Sequence, residues 1–374
     1  MLRVLHIGFA DDLPQTLYGN LFPEMTKRDI LLTKIVYLPR RSDLKPAPYG
    51  EVEMHPTYSH SRLTFPIDAL RVGSQLHLKN PFGLIVAEEP MGSGLAGYWL
   101  KKRFHIPLLI KCHTPYFQNT RWFFERPQNP VYYFLAIFLL CHSDMVQVES
   151  QLLAQSLMAI GISKRKIQVC PTPIKTNLFD EPPTFSDRPF QQKLLSVGRL
   201  ISAKGVSNLL KAVHTLVDWR KDPKLVIAGE GPLRSPLEKQ AVRLRIENRV
   251  SFRGFVSQQT LPSLYKECDV FVLPSLYDSR PKVLVEAALS GLPIITTRVG
   301  SVSDLVREEE TALIVPPNDP KALARSICEL IDDPNRARAM GLKGREFAHE
   351  RFNRDKMKDA VAELWRKTAA LKAR

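Results

Sequence analysis

The chain is poor in cysteine. Its five cysteines, Cys112, Cys141, Cys170, Cys268 and Cys328, are odd in number and never stand at metal-ligand spacing in 374 residues. A disulfide framework and a cysteine-built zinc site are thereby excluded, and a reducing compartment is expected. Long apolar runs are missing too. The longest, "VYYFLAIFLLC" from Val131 to Cys141, falls short of the roughly 20 residues that span a bilayer and reads as a buried helix. The opening "LRVLHIGFA" is strand-like, without the basic and apolar regions of a leader, so no signal peptide is expected and the location reads as cytoplasmic. Acidic residues are in deficit: 38 against 53 basic ones leave a net charge of +15, with +5 before residue 190 and +10 after it. The last 24 residues alone carry +5 on one amphipathic stretch. Such a balance suits anionic ligands, an anionic membrane surface or nucleic acid. No recognised nucleic-acid module appears, so nucleic acid is not an expected partner.

What is present is alternation. "LRVLHIGF", "LLTKIVYL", "FGLIVAEE", "IPLLIKCH", "DMVQVES" and "KIQVCPTPI" are strand-like, with helical patterns near 18–28, 67–78, 94–103 and 151–161. That pattern predicts a parallel sheet covered by helices, a Rossmann-like α/β domain over residues 1–180. Residues 181–192 hold prolines and little periodic apolar content, and read as a linker. The alternation restarts with "KLLSVGRL", "KLVIAGEG", "VSFRGFV", "DVFVLPS", "LPIITT" and "TALIVPP", giving a second Rossmann-like domain over 193–353. A last helix, within 354–374, lies beyond that core and is expected to cross back to the first domain. Ligands of open α/β sheets bind at the carboxyl ends of the strands, so two such domains facing each other imply a central cleft.

Four stretches carry candidate chemistry. "MGSGLAG" places Gly92, Gly94 and Gly97 between a strand and a helix in a formal dinucleotide pattern, but no acidic residue occurs between Glu89 and Glu125 to hold a ribose. It reads as a glycine-rich turn. "AGEGPLRSPLE" is a second strand, Gly-x-Gly turn and helix, in which glycine serves the backbone first. "SVGRLISAKGV" puts Arg199 and Lys204 around a strand's carboxyl end, a pairing that suits a diphosphate; two solvated cations are the plainer alternative. "PSLYDSRPKVLVEAALSGLPIIT" sets one carboxylate, Glu286, inside an apolar helix that Asp278 or Ser279 can cap and Gly291 can end. The N–H groups after Pro281 suit an anion. A buried carboxylate needs donors, which ribose hydroxyls or a structural Arg or backbone N–H would supply.

These stretches, with "VSFRGFVSQQTLPSLYKECDVFVLPSLYDSRPKVLVEAALSGLPIITTRVGSVSDLV" and "TALIVPPNDPKALA", resemble the donor-nucleotide domain of retaining GT-B glycosyltransferases, family 4, also called the glycosyltransferase group 1 family. The match runs through nearly all of 192–353, while the first domain resembles the family in "DMVQVESQLLAQSLMAIGISKRKIQVCPTPIKTNLF" and "IPLLIKCHTPYF" and little elsewhere. The resemblance implies a GT-B fold and roles position by position. Arg199 and Lys204 would hold the diphosphate and offset charge on the departing nucleotide. Glu286 would bind the ribose as the second glutamate of the Glu-x7-Glu motif, and Asp278, at the first glutamate's place, would face the donor sugar. Backbone N–H groups near Lys282, Val283 and Leu284 would meet sugar or phosphate. Gly254, Phe255 and Val256 fall in the loop bordering the base, Gly19 matches the glycine loop after the first strand, and His113 matches the histidine near sugar and acceptor. Three departures bear on sugar preference and turnover: Asp278 is one methylene shorter than glutamate, Ser279-Arg280 replaces Gly-Phe, and Thr172-Pro173 replaces Asn-Gly.

"RWFFERPQNPVYYF" interleaves Arg121 and Arg126 with Trp122 and Phe123, a composition suited to a membrane interface or a lipid-linked acceptor; a helix packed on the domain with charged edges is the plainer alternative. The expected activity is transfer of a hexose from a UDP- or GDP-sugar to a hydroxyl of a saccharide or lipid-linked acceptor, in envelope polysaccharide, exopolysaccharide or glycolipid synthesis, on the inner face of a membrane. No cofactor and no metal is expected. The alternatives are a nucleotide-sugar epimerase on the same frame and a catalytically silent sugar-nucleotide-binding protein.

Overall fold

The computed structural model describes residues 1–9, 25–38, 52–113, 123–124, 126–173, 177–179, 189–278 and 280–371. The chain divides into two compact units, Met1–Lys175 with Arg354–Arg374, and Thr176–Asn353.

The first unit is built on seven parallel strands: β1 (Leu2–Phe9), β2 (Ile30–Tyr37), β3 (Glu53–Pro56), β4 (Leu84–Ala87), β5 (Leu108–Cys112), β6 (Met145–Val148) and β7 (Ile167–Val169). Their order is β3-β2-β1-β4-β5-β6-β7. Helices α1 (Phe65–Lys79), α2 (Gly92–Phe104), α3 (Asn129–His142) and α4 (Gln151–Ala159) follow β3, β4, β5 and β6. Successive strand residues point to opposite faces, so Leu5, Ile85, Leu108 and Val146 pack under these helices while Val4, Leu84, Leu109 and Met145 belong to a second core on the other face. The helix expected near 18–28 lies outside the described residues up to Glu24; Thr26–Arg28 forms a single 3-10 turn, ended by Asp29 in the left-handed conformation, φ 56°.

The apolar run Val131–Cys141 was read as a buried helix, yet in α3 only Asn129, Ala136, Leu139 and Leu140 are buried, whereas Val131, Phe134 and Phe138 are exposed. A helix lying on one face of a sheet buries only the stripe turned to it; the outer side of α3 has ring contacts at its edges, Tyr98 standing edge-on to Phe138 at 5.5 Å, and is otherwise open at Val131 and Phe134. No helix among the described residues is long and apolar enough to cross a membrane.

The second unit repeats the plan with six parallel strands: β8 (Lys193–Val197), β9 (Lys224–Ala228), β10 (Val250–Gly254), β11 (Val270–Leu273), β12 (Ile294–Thr297) and β13 (Ala312–Val315), ordered β10-β9-β8-β11-β12-β13. The helices are α5 (Val206–Asp218), α6 (Arg234–Arg243), α7 (Leu261–Lys266), α8 (Lys282–Leu289), α9 (Val302–Leu305), α10 (Pro320–Asp332) and α11 (Pro334–Arg351). Asp319 and Asp333 cap α10 and α11 by accepting from Ala322 N and Arg336 N, with proline at the first turn of each helix. Leu209, Val213 and Leu216 of α5 join Ile227, Val272, Leu323 and Ile327 in the main core. Strand order reverses at β1 and again at β8, and the gap beside each, at the carboxyl ends, is where such sheets take ligands.

The second unit begins at Thr176, ahead of the linker expected at 181–192. Arg345 Nη1 donates to the Phe179 carbonyl at 3.2 Å, and the Phe179 ring stands edge-on to Tyr265 at 5.6 Å, which ties these residues to that unit. The last helix, α12 (Arg354–Ala369), packs on the first unit: Val361, Leu364 and Trp365 join Val4, Leu84 and Leu109, and Arg28 Nε donates to Asp359 at 2.7 Å.

Candidate functional site

At the carboxyl edge of the second sheet the backbone sets the geometry. Gly198 N donates to the Ala228 carbonyl at 3.0 Å, Gly229 N to the Gly254 carbonyl at 2.7 Å, and Leu200 N to the Glu230 carbonyl at 2.8 Å, so the turns after β8, β9 and β10 are stitched together. A Cβ on Gly229 would lie 1.9 Å from the Gly198 carbonyl oxygen, and one on Gly231 2.4 Å from that of Leu200. Gly205 takes φ 63° with the space of its missing Cβ 2.0 Å from the Pro274 carbonyl oxygen. Only glycine fits there. The turn after β8 is thereby pressed onto the turn after β11, where Leu276 N and Tyr277 N both donate to Ala203 O. Arg199 is exposed on this edge, and Lys204 forms an ion pair with Asp278. Gly254 ends β10, and beside it Phe255 presents an 80% exposed ring, with Val256 half-buried.

Helix α8 starts at Lys282 with Pro281 as its N-cap and no side-chain cap. The cap expected from Asp278 is not formed, because its carboxylate is engaged by Lys204; Ser279 lies outside the described residues. Gly291, at φ 77°, ends the helix as expected. Glu286 is 4% exposed, and its Oε2 accepts from Tyr265 Oη at 3.1 Å. Burial raises the Glu286 carboxyl to about 7, against the opposing pull of the Tyr265 hydrogen bond and the Lys282 charge. Burial, then the Glu286 charge, pushes the Tyr265 hydroxyl well above its usual range. Among the described residues Tyr265 is the only side-chain hydrogen-bond partner of this carboxylate. Lys282 and Val283 are half-buried in the first turn, and Leu284 points fully into the core, so only its backbone can serve a ligand.

The carboxyl edge of the first sheet holds a chain of buried charges around His113. His113 Nδ1–H donates to Glu149 Oε1 at 2.9 Å and Nε2–H to Glu88 Oε1 at 3.0 Å. Burial works against a charged imidazole, but the two carboxylates outweigh it and raise His113 to about 9. The ring is therefore a cation at neutral pH, with both N–H groups committed. Glu88 Oε2 also accepts from Lys111 Nζ at 2.9 Å and His6 Nε2 at 2.8 Å. Burial alone would raise Glu88, yet Lys111 and the two histidines hold it well below the usual carboxylate range. His6, wholly buried, is driven down to about 3 by desolvation and stays neutral. Glu149 accepts from Thr172 N at 3.0 Å and from the Thr172 hydroxyl. The unusual Thr172-Pro173 turn thus feeds the carboxylate that orients His113.

Sequence reasoning named His113 but missed Glu88, Glu149, Lys111, His6 and, in the other unit, Tyr265. The signal for two of them was present: "AEE" and "VES" each set a glutamate directly after an apolar strand, at the edge where ligands bind.

The glycine-rich turn at Gly92–Gly97 is not a phosphate cradle. Glu89 occupies the start of α2 itself, accepting from Met91 N at 2.6 Å and Ser93 N at 2.7 Å. A Cβ on Gly97 would meet Leu108 at 2.8 Å, so this glycine serves helix-to-strand packing. Gly19, Arg121 and Trp122 lie outside the described residues. Phe123 stacks edge-on with Tyr133 of α3 at 5.3 Å, and Arg126 is exposed just before that helix. Among the described residues no three His, Cys, Asp or Glu side chains group as metal ligands.

Residues 184–347, which carry the whole edge of the second sheet, match the glycosyl transferases group 1 family, and residues 33–178 match glycosyltransferase family 4. The chain belongs to the group 1, family 4 glycosyltransferases. Similar proteins include an α-D-kanosaminyltransferase of Streptomyces kanamyceticus, 25% identical over 77% of this chain and 78% of that one. An uncharacterized glycosyltransferase of Methanocaldococcus jannaschii is 35% identical over 38% of this chain and only 36% of its own length. Among solved structures, a sucrose-phosphate synthase from Thermosynechococcus elongatus superposes with TM-score 0.84 at 22% identity, over 98% of this chain and 99% of that one. Anabaena HepE in complex with UDP-glucose superposes with TM-score 0.76 at 19% identity, over 98% and 100%. The fold of this glycosyltransferase is GT-B.

Proposed function

We propose that the protein transfers a hexose from a nucleoside diphosphate sugar to a hydroxyl of a saccharide or lipid-linked acceptor, with retention at the anomeric carbon. The observation that carries this reading is Glu286, a buried carboxylate on the helix that leaves the carboxyl edge of the second sheet, with one side-chain donor among the described residues. Ribose hydroxyls are the donors it lacks. UDP is favoured as the nucleotide because HepE, of the same fold, was solved with UDP and with UDP-glucose; a GDP-sugar remains the second candidate. Arg199 and Lys204 hold the diphosphate, which competes with Asp278 for the Lys204 ammonium. The exposed Phe255 ring, with Gly254 and Val256, borders the base. Asp278 and backbone N–H groups of Lys282, Val283 and Leu284 meet sugar or phosphate, and Gly19 contributes the glycine loop.

His113 offers a fixed positive charge near sugar and acceptor and no proton-accepting nitrogen. The cations and the N-terminus of α8 neutralise the departing diphosphate, so the reaction needs no metal and no cofactor. The setting is assembly of envelope polysaccharide, exopolysaccharide or glycolipid at the inner face of a membrane, with α3 and the preceding basic-aromatic segment at its surface.

A panel of UDP, GDP, ADP and TDP, with and without sugars, followed by thermal shift and calorimetry, tests the reading. One nucleotide is expected to bind saturably and to lose that binding in Glu286→Ala and Arg199→Ala; no binding by any of them would overturn it. The Lys204–Asp278 pair also favours a second reading, a silent donor-binding protein, marked by saturable binding with no sugar ever released or transferred.

A further inference from the structure

We propose that Asp278 sets the balance between substrate and product at the donor site, weakening the hold on a free nucleoside diphosphate relative to the same nucleotide carrying its sugar. The proposal rests on the transferase reading above for the diphosphate held by Lys204; the placement of Asp278 beside that lysine stands on the structure of the second unit alone.

Backbone contacts on either side hold the pair together. Lys204 ends the 3-10 turn Ser202–Lys204, and its stem runs past Gly198 at the end of β8, where an added Cβ would lie 3.8 Å from Lys204 Cδ and Cε. Ala203, one residue earlier, accepts from Leu276 N at 2.8 Å and Tyr277 N at 3.1 Å, and Asp278 is the next residue. Gly205, one residue later, lies against the Pro274 carbonyl, 2.0 Å from the place of its missing Cβ. The two turns are therefore fastened on both sides of the lysine, and its ammonium stays with the carboxylate. Both side chains are largely withdrawn from solvent, Lys204 20% and Asp278 11% exposed, so salt screens little between them.

A diphosphate that takes the Lys204 ammonium shares it with Asp278. Two oxygens that accept from one ammonium lie within about 6 Å of each other, a separation at which like charges oppose each other's ionised forms. The terminal phosphate of a free nucleoside diphosphate ionises twice near neutral pH, whereas one esterified by a sugar ionises once. Asp278 thus opposes the product more than the substrate. Its Oδ2 is taken by Lys204, but Oδ1 has no hydrogen-bond partner among the described residues and is left to accept from a sugar hydroxyl, which the product lacks. The nucleotide left after transfer is then held less tightly than the donor that entered.

Calorimetry on the full chain at about pH 8, where the terminal phosphate is fully ionised, tests this with UDP and with the methyl ester of its terminal phosphate. The ester has the charge of a nucleotide sugar and no sugar, so it separates repulsion from sugar contacts. Asp278→Asn is expected to raise the affinity for UDP about tenfold relative to the ester. Asp278→Glu keeps the charge and should leave the ratio of the two affinities within about twofold of the unaltered protein. A residue of structural role alone would weaken both ligands alike. An unchanged ratio in Asp278→Asn, with UDP still bound, overturns the proposal and leaves the transferase reading intact. No binding of UDP or of its ester by the unaltered protein removes the UDP premise of that reading and the proposal with it.

Discussion

The two sheets present opposite kinds of carboxyl edge. In the second unit the edge is backbone: Gly198, Gly229 and Gly254 let the turns after β8, β9 and β10 lie against one another, Gly205 presses the first of them on the turn after β11, and Arg199 stands at the surface of that frame. In the first unit the edge is side chain: His6, Glu88, Lys111, His113, Glu149 and Thr172 satisfy one another in a continuous buried network. The backbone frame leaves Arg199 exposed and ties Lys204 to a single carboxylate, Asp278, whereas the side-chain network commits each of its charges to several partners. The difference implies that loss of a charge should alter binding in the second unit and stability in the first.

The largest effect is expected from Lys111→Met. Lys111 is 3% exposed, and its removal leaves the Glu88 carboxylate short of its strongest neutralising charge. Chemical denaturation should show a loss of about 3 kcal/mol. Arg199→Ala, at the exposed edge of the other unit, should change stability by less than about 0.5 kcal/mol while abolishing nucleotide binding. If the two variants denature alike, the contrast between the edges is wrong.

Glycine substitutions sharpen the same contrast. Gly205→Ala forces a left-handed φ of 63° on alanine and drives its Cβ to 2.0 Å from the Pro274 carbonyl oxygen. About 2 kcal/mol or more of stability should be lost, together with nucleotide binding. Gly161, in the first unit, has φ 92° with nothing within 4 Å of the missing Cβ, so Gly161→Ala carries backbone strain alone, about 1 kcal/mol.

This contrast also explains which parts could be read in advance. A backbone frame writes itself into consecutive residues, since a glycine that must accept a carbonyl at van der Waals contact cannot drift; "SVGRLISAKG" and "AGEG" therefore announce the second edge. The side-chain network draws one residue from each of β1 and β5 and one from each of the turns after β4, β5, β6 and β7, up to 166 positions apart. No local pattern joins His6 to Thr172. The same logic applies to Tyr265, which reaches Glu286 from another helix 21 positions away. Alternation of strands and helices was readable where burial on both faces makes the strands apolar; the edge strand β3, Glu53–Pro56, half-buried at most and polar in sequence, was not, nor was the exposed stripe of α3, whose sequence is apolar on every side.

His113 provides a pH test of the first edge. Its folded value is raised to about 9 from the usual 6.5, so its contribution to stability is fully present below pH 6.5 and is lost as pH rises through 9. The imidazole proton resonance should titrate near 9, and Glu149→Gln should move the midpoint down. A midpoint unchanged in that variant would mean that Glu149 does not hold the charge.

The smallest effect, and the one that tests the second edge most directly, is expected from Tyr265→Phe. The ring keeps its contacts with Phe179 and Phe271, and only the hydroxyl that donates to Glu286 is lost. Stability should fall by about 1 kcal/mol. Because the Glu286 value is raised from 4.5 to about 7, the folded protein holds the extra proton across that window, and stability declines as pH rises through it. Ribose hydroxyls need the ionised form, so affinity for UDP-glucose, whose diphosphate does not titrate here, should fall as pH drops through 7. Tyr265→Phe removes a group that favours ionisation, and the fall should then begin at higher pH. Calorimetry between pH 6 and 8.5 distinguishes the outcomes: a shared midpoint in both proteins would show that the carboxylate is tuned by burial alone, whereas no pH dependence in either would detach Glu286 from the nucleotide.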